Sequence, residues 1–170
     1  MAKPKTSRDI LVTELKEIHS AERQLSRILP KLAKRTQSEP LRAKLEERME
    51  QGTILIEGLD RALEEMEVTK ARPKNVAVEG LIEDINQHME EIEDPKLLDP
   101  VLLSSIQKVE HYCIAAWGTA RSLAKSHGEQ TVVELMELAL RDGKKYDEEM
   151  TELAESEVNP AMQLELEPAE

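Results

Sequence analysis

The fold this sequence predicts is all-α: a four-helix bundle, up-down, with a crossover connection carrying a short extra helix. Three observations predict it. Apolar residues recur at steps of three and four through four long stretches. Aromatic residues are scarce, with 1 Trp, 2 Tyr and no Phe, while Leu, Glu, Lys and Ala abound, a bias toward helix over sheet. The connection between the second and third of the long stretches is long and contains a shorter periodic segment, as a crossover requires. A chain of 170 residues suits one domain with a sizeable core.

Residues 1–8 read as a flexible tail. Thr6 with Asp9 makes a capping-box pattern where a helix begins, and residues 9–155 read as the bundle. Leu11, Leu15, Ile18, Leu25, Leu29 and Leu32 keep helical spacing, with Glu22 on the same stripe. Pro30 lies inside this helix and is expected to kink it. Ser38 caps the second helix, and Pro40 sits in its first turn. Its stripe runs Leu41, Leu45, Met49, Gly52, Ile56, Leu59, Leu63 and Met66, bordered by Arg48 and Gln51. Lys70 to Lys74, around Pro73, make a basic loop.

A shorter third helix carries Val78, Leu81, Ile82, Ile85, Met89 and Ile92, and Asp94-Pro95 is expected to end it. Asp99-Pro100 is expected to cap the fourth, which Gly128 closes as a left-handed cap. The fourth helix is striped by Leu103, Ile106, Val109, Cys113, Trp117, Ala120 and Ala124. The fifth has Val132, Met136, Ala139, Gly143, Tyr146, Met150 and Leu153 on one face, with Gly143 an oddity because it offers the core no side chain. Residues 156–170 hold Glu and Pro without a base and read as an acidic tail that frays. With four long helices and one crossover, the connectivity is that of ferritin-like bundles.

The net charge of -12 argues against nucleic acid and against an anionic membrane surface, both of which need a basic face. A single Cys113 excludes an internal disulfide and a Cys-based zinc site. No apolar run reaches the length of a bilayer span, and no apolar stretch of a signal peptide follows the basic start. A cytoplasmic protein is the resulting expectation.

A carboxylate on a core stripe must be paired, hydrogen-bonded or bound to metal. Glu22 lies on such a stripe and Glu110 one residue from another. Each could pair with a Lys or Arg at the bundle edge. Each could also belong to a metal centre, since ferritin-like bundles hold two metals with a Glu from two helices and Glu-x-x-His from the other two. None of His19, His88, His111 and His127 has Glu three residues before it. His111 reads as an edge residue, Cys113 as a small buried hydrophobe, and Trp117 as core filling. No nucleophile elbow or glycine-rich phosphate loop is present.

Three phrases in register, Glu14-Leu15-Lys16-Glu17-Ile18-His19-Ser20-Ala21-Glu22-Arg23-Gln24-Leu25, Glu79-Gly80-Leu81-Ile82 and Lys108-Val109-Glu110-His111-Tyr112, resemble the YciE/YciF family of bacterial ferritin-like proteins. The resemblance runs from about Asp9 to Leu153. It implies a rubrerythrin-like bundle, usually a homodimer, associated with stress responses and lacking an established reaction. The family's metal-ligand pattern implies Glu22 on the first helix and Glu110 on the fourth. Its second fourth-helix Glu falls on Cys113. Its His-x-x-Glu falls on Arg48 and Gln51, and its Glu-Glu-Lys followed by Asp falls on Asp142, Gly143, Lys144 and Asp147.

The expected function is therefore a non-catalytic stress-associated bundle protein, without a cofactor, acting through self-association as a homodimer and keeping a degenerate metal site. The alternative is a metal-binding, ferroxidase-like oxidoreductase with iron or another divalent metal on Glu22, Glu110 and Asp147. Arg48 is expected within hydrogen-bonding distance of Glu22 or Glu110, its charge standing in for metal, because a guanidinium stays charged and can bond two carboxylates through its planar fork. The third helix, apolar on more than one side, is the expected dimer contact.

Overall fold

A computed structural model describes residues 4–68 and 73–163, so much of the expected basic loop and part of each expected tail lie outside the described residues. The elements are α1 (Ser7–Arg35), α2 (Glu39–Glu65), α3 (Val76–Glu91), α4 (Pro95–His127) and α5 (Gln130–Leu153), then a π-helical turn (Ala154–Val158) and α6 (Asn159–Gln163). All regular structure among the described residues is helical.

α1 and α5 each pack on both α2 and α4, which closes the four long helices into a ring. At one end Arg8 of α1 donates to the Met66 carbonyl and pairs with Glu129, just before α5. At the other end Arg42 of α2 donates to the carbonyls of Ala33 and Thr36, and Asp99 of α4 accepts from Ser38 N at 2.9 Å. α2 and α4 therefore start at the same end. The order is up, down, down, up, and α3 crosses over against α4 and α1. Asn75 fastens that crossover: its side chain caps Val78 N and donates to the Glu17 carbonyl and the Tyr112 hydroxyl.

The capping box at Thr6 and Asp9 is formed, so α1 begins at Ser7, inside the expected tail. Pro30 sits within α1 without ending it. On α2 Leu41, Leu45, Gly52, Leu59, Leu63 and Met66 of the expected stripe are buried, and it departs from expectation in the middle. Arg48 and Leu55 are buried, while Met49 and Ile56 are only partly so. This local departure follows from Arg48, which finds carboxylates on the neighbouring helices and so belongs inside.

The junction between α3 and α4 also differs from expectation. Asp94-Pro95 opens α4 rather than ending α3: the Asp94 carboxylate accepts from Lys96 N, and a first-turn proline forfeits no helical hydrogen bond. Pro100 lies inside the helix, and Asp99 does not cap α4. Its buried carboxylate instead accepts from Gln37 N and Ser38 N, two donors at the start of α2. Removing a charged acceptor from a buried amide costs about 1–3 kcal/mol. These two amides are only partly buried, with Thr36 Oγ1 as a second acceptor for Ser38 N, which puts the cost at the low end. Asp99→Ala should lower the melting temperature accordingly, and faster amide exchange at Gln37 and Ser38 would locate the damage.

Two further expectations change. The chain stays helical through the π turn and α6, where a fraying tail was expected to start, and burial of Ala154 and Val158 accounts for this. The apolar side of α3 turns onto the bundle: Val78 and Ile85 are buried, and Leu81, Ile82, Met89 and Ile92 pack against the core. Among the described residues, the large apolar ones left exposed are Ile10, Ile54, Val76 and Leu97. No described helix is long and apolar enough to cross a membrane.

Candidate functional site

Midway along the bundle, four helices contribute to one buried polar cluster. α1 supplies Glu22, from between Ile18 and Leu25; α2 supplies Arg48; α4 supplies Glu110, from between Val109 and Cys113; and α5 supplies the gap at Gly143. Arg48 Nη1 and Nη2 donate to the two Glu22 oxygens at 3.0 and 2.9 Å, a bidentate fork, and Arg48 Nε donates to Glu110 Oε2 at 2.7 Å. Arg48 is 2 % exposed and each glutamate 1 %, so solvent does not screen these contacts. The guanidinium also lies over the Trp117 ring, 5.7 Å from its centroid, in cation–π range.

Two glycines make the room. A side chain at Gly52 would crowd Glu22 Oε2 and Arg48 Nη1. At Gly143 an added Cβ would collide with Trp117 Cζ3 and come within 2.7 Å of Glu110 Oε1. The oddity in the α5 stripe is thus the seat of the Trp117 ring.

One guanidinium facing two carboxylates leaves a net charge of minus one if both are ionised. The excess falls on Glu110. Burial pushes its pKa up, Arg48 pulls it down, and the charges of Glu22 and Asp147 push it up again, the net shift being upward. Its Oε1 has no hydrogen-bond partner among the described residues, and neither does the buried Tyr146 hydroxyl. For Arg48, burial alone would lower the pKa, but Glu22 and Glu110 more than offset it, and the group stays a cation. Burial, then the charge of Glu22, pushes the Cys113 thiol well up, which makes it a poor nucleophile.

The Glu110 shift gives a pH dependence of defined sign. A carboxyl with a raised folded pKa binds more protons folded than unfolded, so its contribution is fully present below the unfolded value and is lost as pH rises through the folded one. Stability should therefore fall with rising pH across the interval just above the ordinary glutamate range. Glu110→Gln, which keeps the shape and cannot ionise, should flatten that part of the stability profile; an unchanged slope in denaturant titrations would count against the assignment.

Of the residues singled out from sequence, Glu22, Arg48, Glu110, Cys113 and Gly143 meet at this cluster. Asp147 makes neither hydrogen bond nor ion pair with them: it accepts from Gln107 and pairs with exposed His111 at 3.3 Å. Gln51 reaches only Glu47. Among the described residues no three His, Cys, Asp or Glu side chains stand where they could hold a metal ion. Sequence reasoning missed Trp117 and Tyr146 as parts of the site. It also missed His19, fully buried with Nε2 3.2 Å from Asp60. The glycine in the inward stripe of the neighbouring helix marks room for a side chain without saying which one fills it.

The profile of DUF892, a domain of unknown function, matches residues 6–163. The chain belongs to this family. It is 38% identical to Protein YciF of Escherichia coli strain K12 over 156 residues, which is 91% of this chain and 94% of that protein. The crystal structure of the E. coli stress protein YciF superposes with a TM-score of 0.86, covering 92% of this chain and 99% of the other. YcfI from Rhodopseudomonas palustris, 28% identical, superposes with a TM-score of 0.82 over 86% of this chain and 94% of its own. A Xanthomonas campestris protein, 21% identical, shares the fold at a TM-score of 0.71 over 94% of this chain and 97% of the other.

Proposed function

We propose that this chain is a non-catalytic, stress-associated bundle protein acting through self-association, in which a buried ion cluster replaces the metal centre of ferritin-like folds. The observation that carries the reading is Arg48, hydrogen-bonded to Glu22 and Glu110 at once. A metal pair does not fit this donor set. Both oxygens of Glu22 and one of Glu110 are taken by a fixed cation, and a dimetal site needs several anionic oxygens to offset roughly four positive charges. The stress association is supported by the likeness to a relative described as a stress protein. Self-association rests on the family resemblance, since the apolar residues of α3, apart from exposed Val76, are spent on the bundle itself.

The test is elemental analysis of protein expressed with excess iron. Metal content far below stoichiometric is expected. About two irons per chain, held through dialysis against a mild chelator and lost in a Glu22→Ala, Glu110→Ala double variant, would overturn the reading in favour of the oxidoreductase. Light scattering should give twice the 19.3 kDa chain mass; the single-chain mass at micromolar concentration would remove self-association from the proposal.

A further inference from the structure

Between α2 and α5 the structure contains a cavity of about 180 Å³. Ile54, Leu55, Leu135, Leu138 and Ala139 make its apolar walls, and the Trp117 ring and Gly143 lie on its inner side. Arg48, Gln51 and Asp142 bring polar groups to it. Exposed Ile54 marks its mouth. Its inner wall is made by features already described, the Trp117 ring seated over Gly143 and the inward-facing Leu55 and Arg48 of α2.

We propose that this cavity is a binding site for a small, uncharged ring compound bearing one polar substituent, of the size of phenol. Three observations select that class. An apolar protein cavity of roughly 150 Å³ accepts benzene, so the volume suits one six-membered ring with a short substituent and excludes a peptide or nucleotide. The walls are chiefly hydrocarbon, which rewards a ring with its water removed. The polar groups disfavour either sign of charge. A cation would meet the Arg48 guanidinium in the wall, while an anion would meet Asp142 and find the guanidinium already matched by Glu22 and Glu110. What remains favourable is a neutral group that exchanges a hydrogen bond with Arg48, Gln51 or Asp142. This site is independent of the metal question, because it needs the ion cluster only as a wall.

Trp117 is the sole tryptophan of the chain and lines the cavity, so its emission reports occupancy directly. Titration of the full-length protein with phenol should change Trp117 emission saturably, with half-saturation on the order of 1 mM, as expected for so few ligand atoms. Phenol at about ten times that concentration should raise the melting temperature, since it binds the folded state. Benzoate, of similar size but charged, should bind at least about tenfold more weakly, because burying its carboxylate is uncompensated. Ala139→Leu fills the cavity from its wall and should abolish the saturable response while keeping the helical circular dichroism. Emission that changes linearly with phenol would overturn the proposal. So would benzoate binding as well as phenol, or an Ala139→Leu protein that responds like the parent. If Ala139→Leu does not fold, the melting shift of the unaltered protein with phenol against benzoate decides the matter alone.

Discussion

Arg48→Ala is expected to destabilise the protein by about 3–5 kcal/mol, the usual cost of removing one partner from a buried ion network. For a chain of this size that is a fall in melting temperature on the order of 10 °C. The loss comes from what is left behind. Glu22 and Glu110 would face each other at 1 % exposure with no cation between them. Two such carboxylates cannot both stay ionised, and one takes up a proton. The deficit should therefore be smaller in mild acid, where that proton is easily supplied, and larger at high pH. Comparing Arg48→Ala with the parent by thermal melts across that range checks both magnitude and sign. A melt like the parent's at neutral pH would mean that the network contributes nothing. Replacing all three charges by apolar residues of similar volume, Glu22→Leu, Arg48→Met and Glu110→Leu together, should recover most of the lost stability, because no unpaired charge remains.

Gly143→Ala is the second substitution expected to act strongly. On an open helix it would add about 1 kcal/mol of stability through helix propensity. Here the new methyl would overlap the buried, rigid Trp117 ring and press on Glu110 Oε1. Overpacking of this kind costs about 1–3 kcal/mol, and displacement of Glu110 would disturb its bond to Arg48 in addition. The net result should be a clear loss. Combining it with Trp117→Leu, which withdraws the ring, should give a double variant less damaged than the sum of the single ones. Strict additivity in that cycle would mean that the ring does not occupy the space above Gly143.

The sequence stripes of α1, α4 and α5 already identified most inward residues, because long 3.6-residue periodicity is a local property. On α2 the stripe holds at both ends and is off by one position in the middle, at Met49 and Ile56. Met49 and Ile56 outrank Arg48 and Leu55 only while the partners of Arg48 are unknown, and those partners lie 26 and 62 residues away. Asp99-Pro100 has the chemistry of a helix start, and nothing local reveals that its carboxylate serves another helix. The acidic composition after Glu155 hid the buried Val158. At the candidate site, the pairing of Arg48 with the glutamates could be anticipated from charge and from the family resemblance, whereas the fit of Trp117 over Gly143 could not, since it joins two helices whose relative rotation no local pattern fixes.

Asp99 has a consequence for the order of assembly. α1 and α2 are joined by a short turn and would be the first pair to meet, as sequence neighbours are. Yet two amides at the start of α2 are completed by a carboxylate 62 and 61 residues further along. Closing a loop of that length carries an entropic cost that rises only slowly with length, so the contact is attainable, but only after the crossover has run the length of the bundle. The hairpin of α1 and α2 has local contacts of its own at this corner, with Ser38 N donating to Thr36 Oγ1 and Leu41 N to Ser38 Oγ, and α4 adds the side-chain acceptor of Gln37 N. The crossover, rather than the turn itself, brings the last acceptor to the start of the second helix.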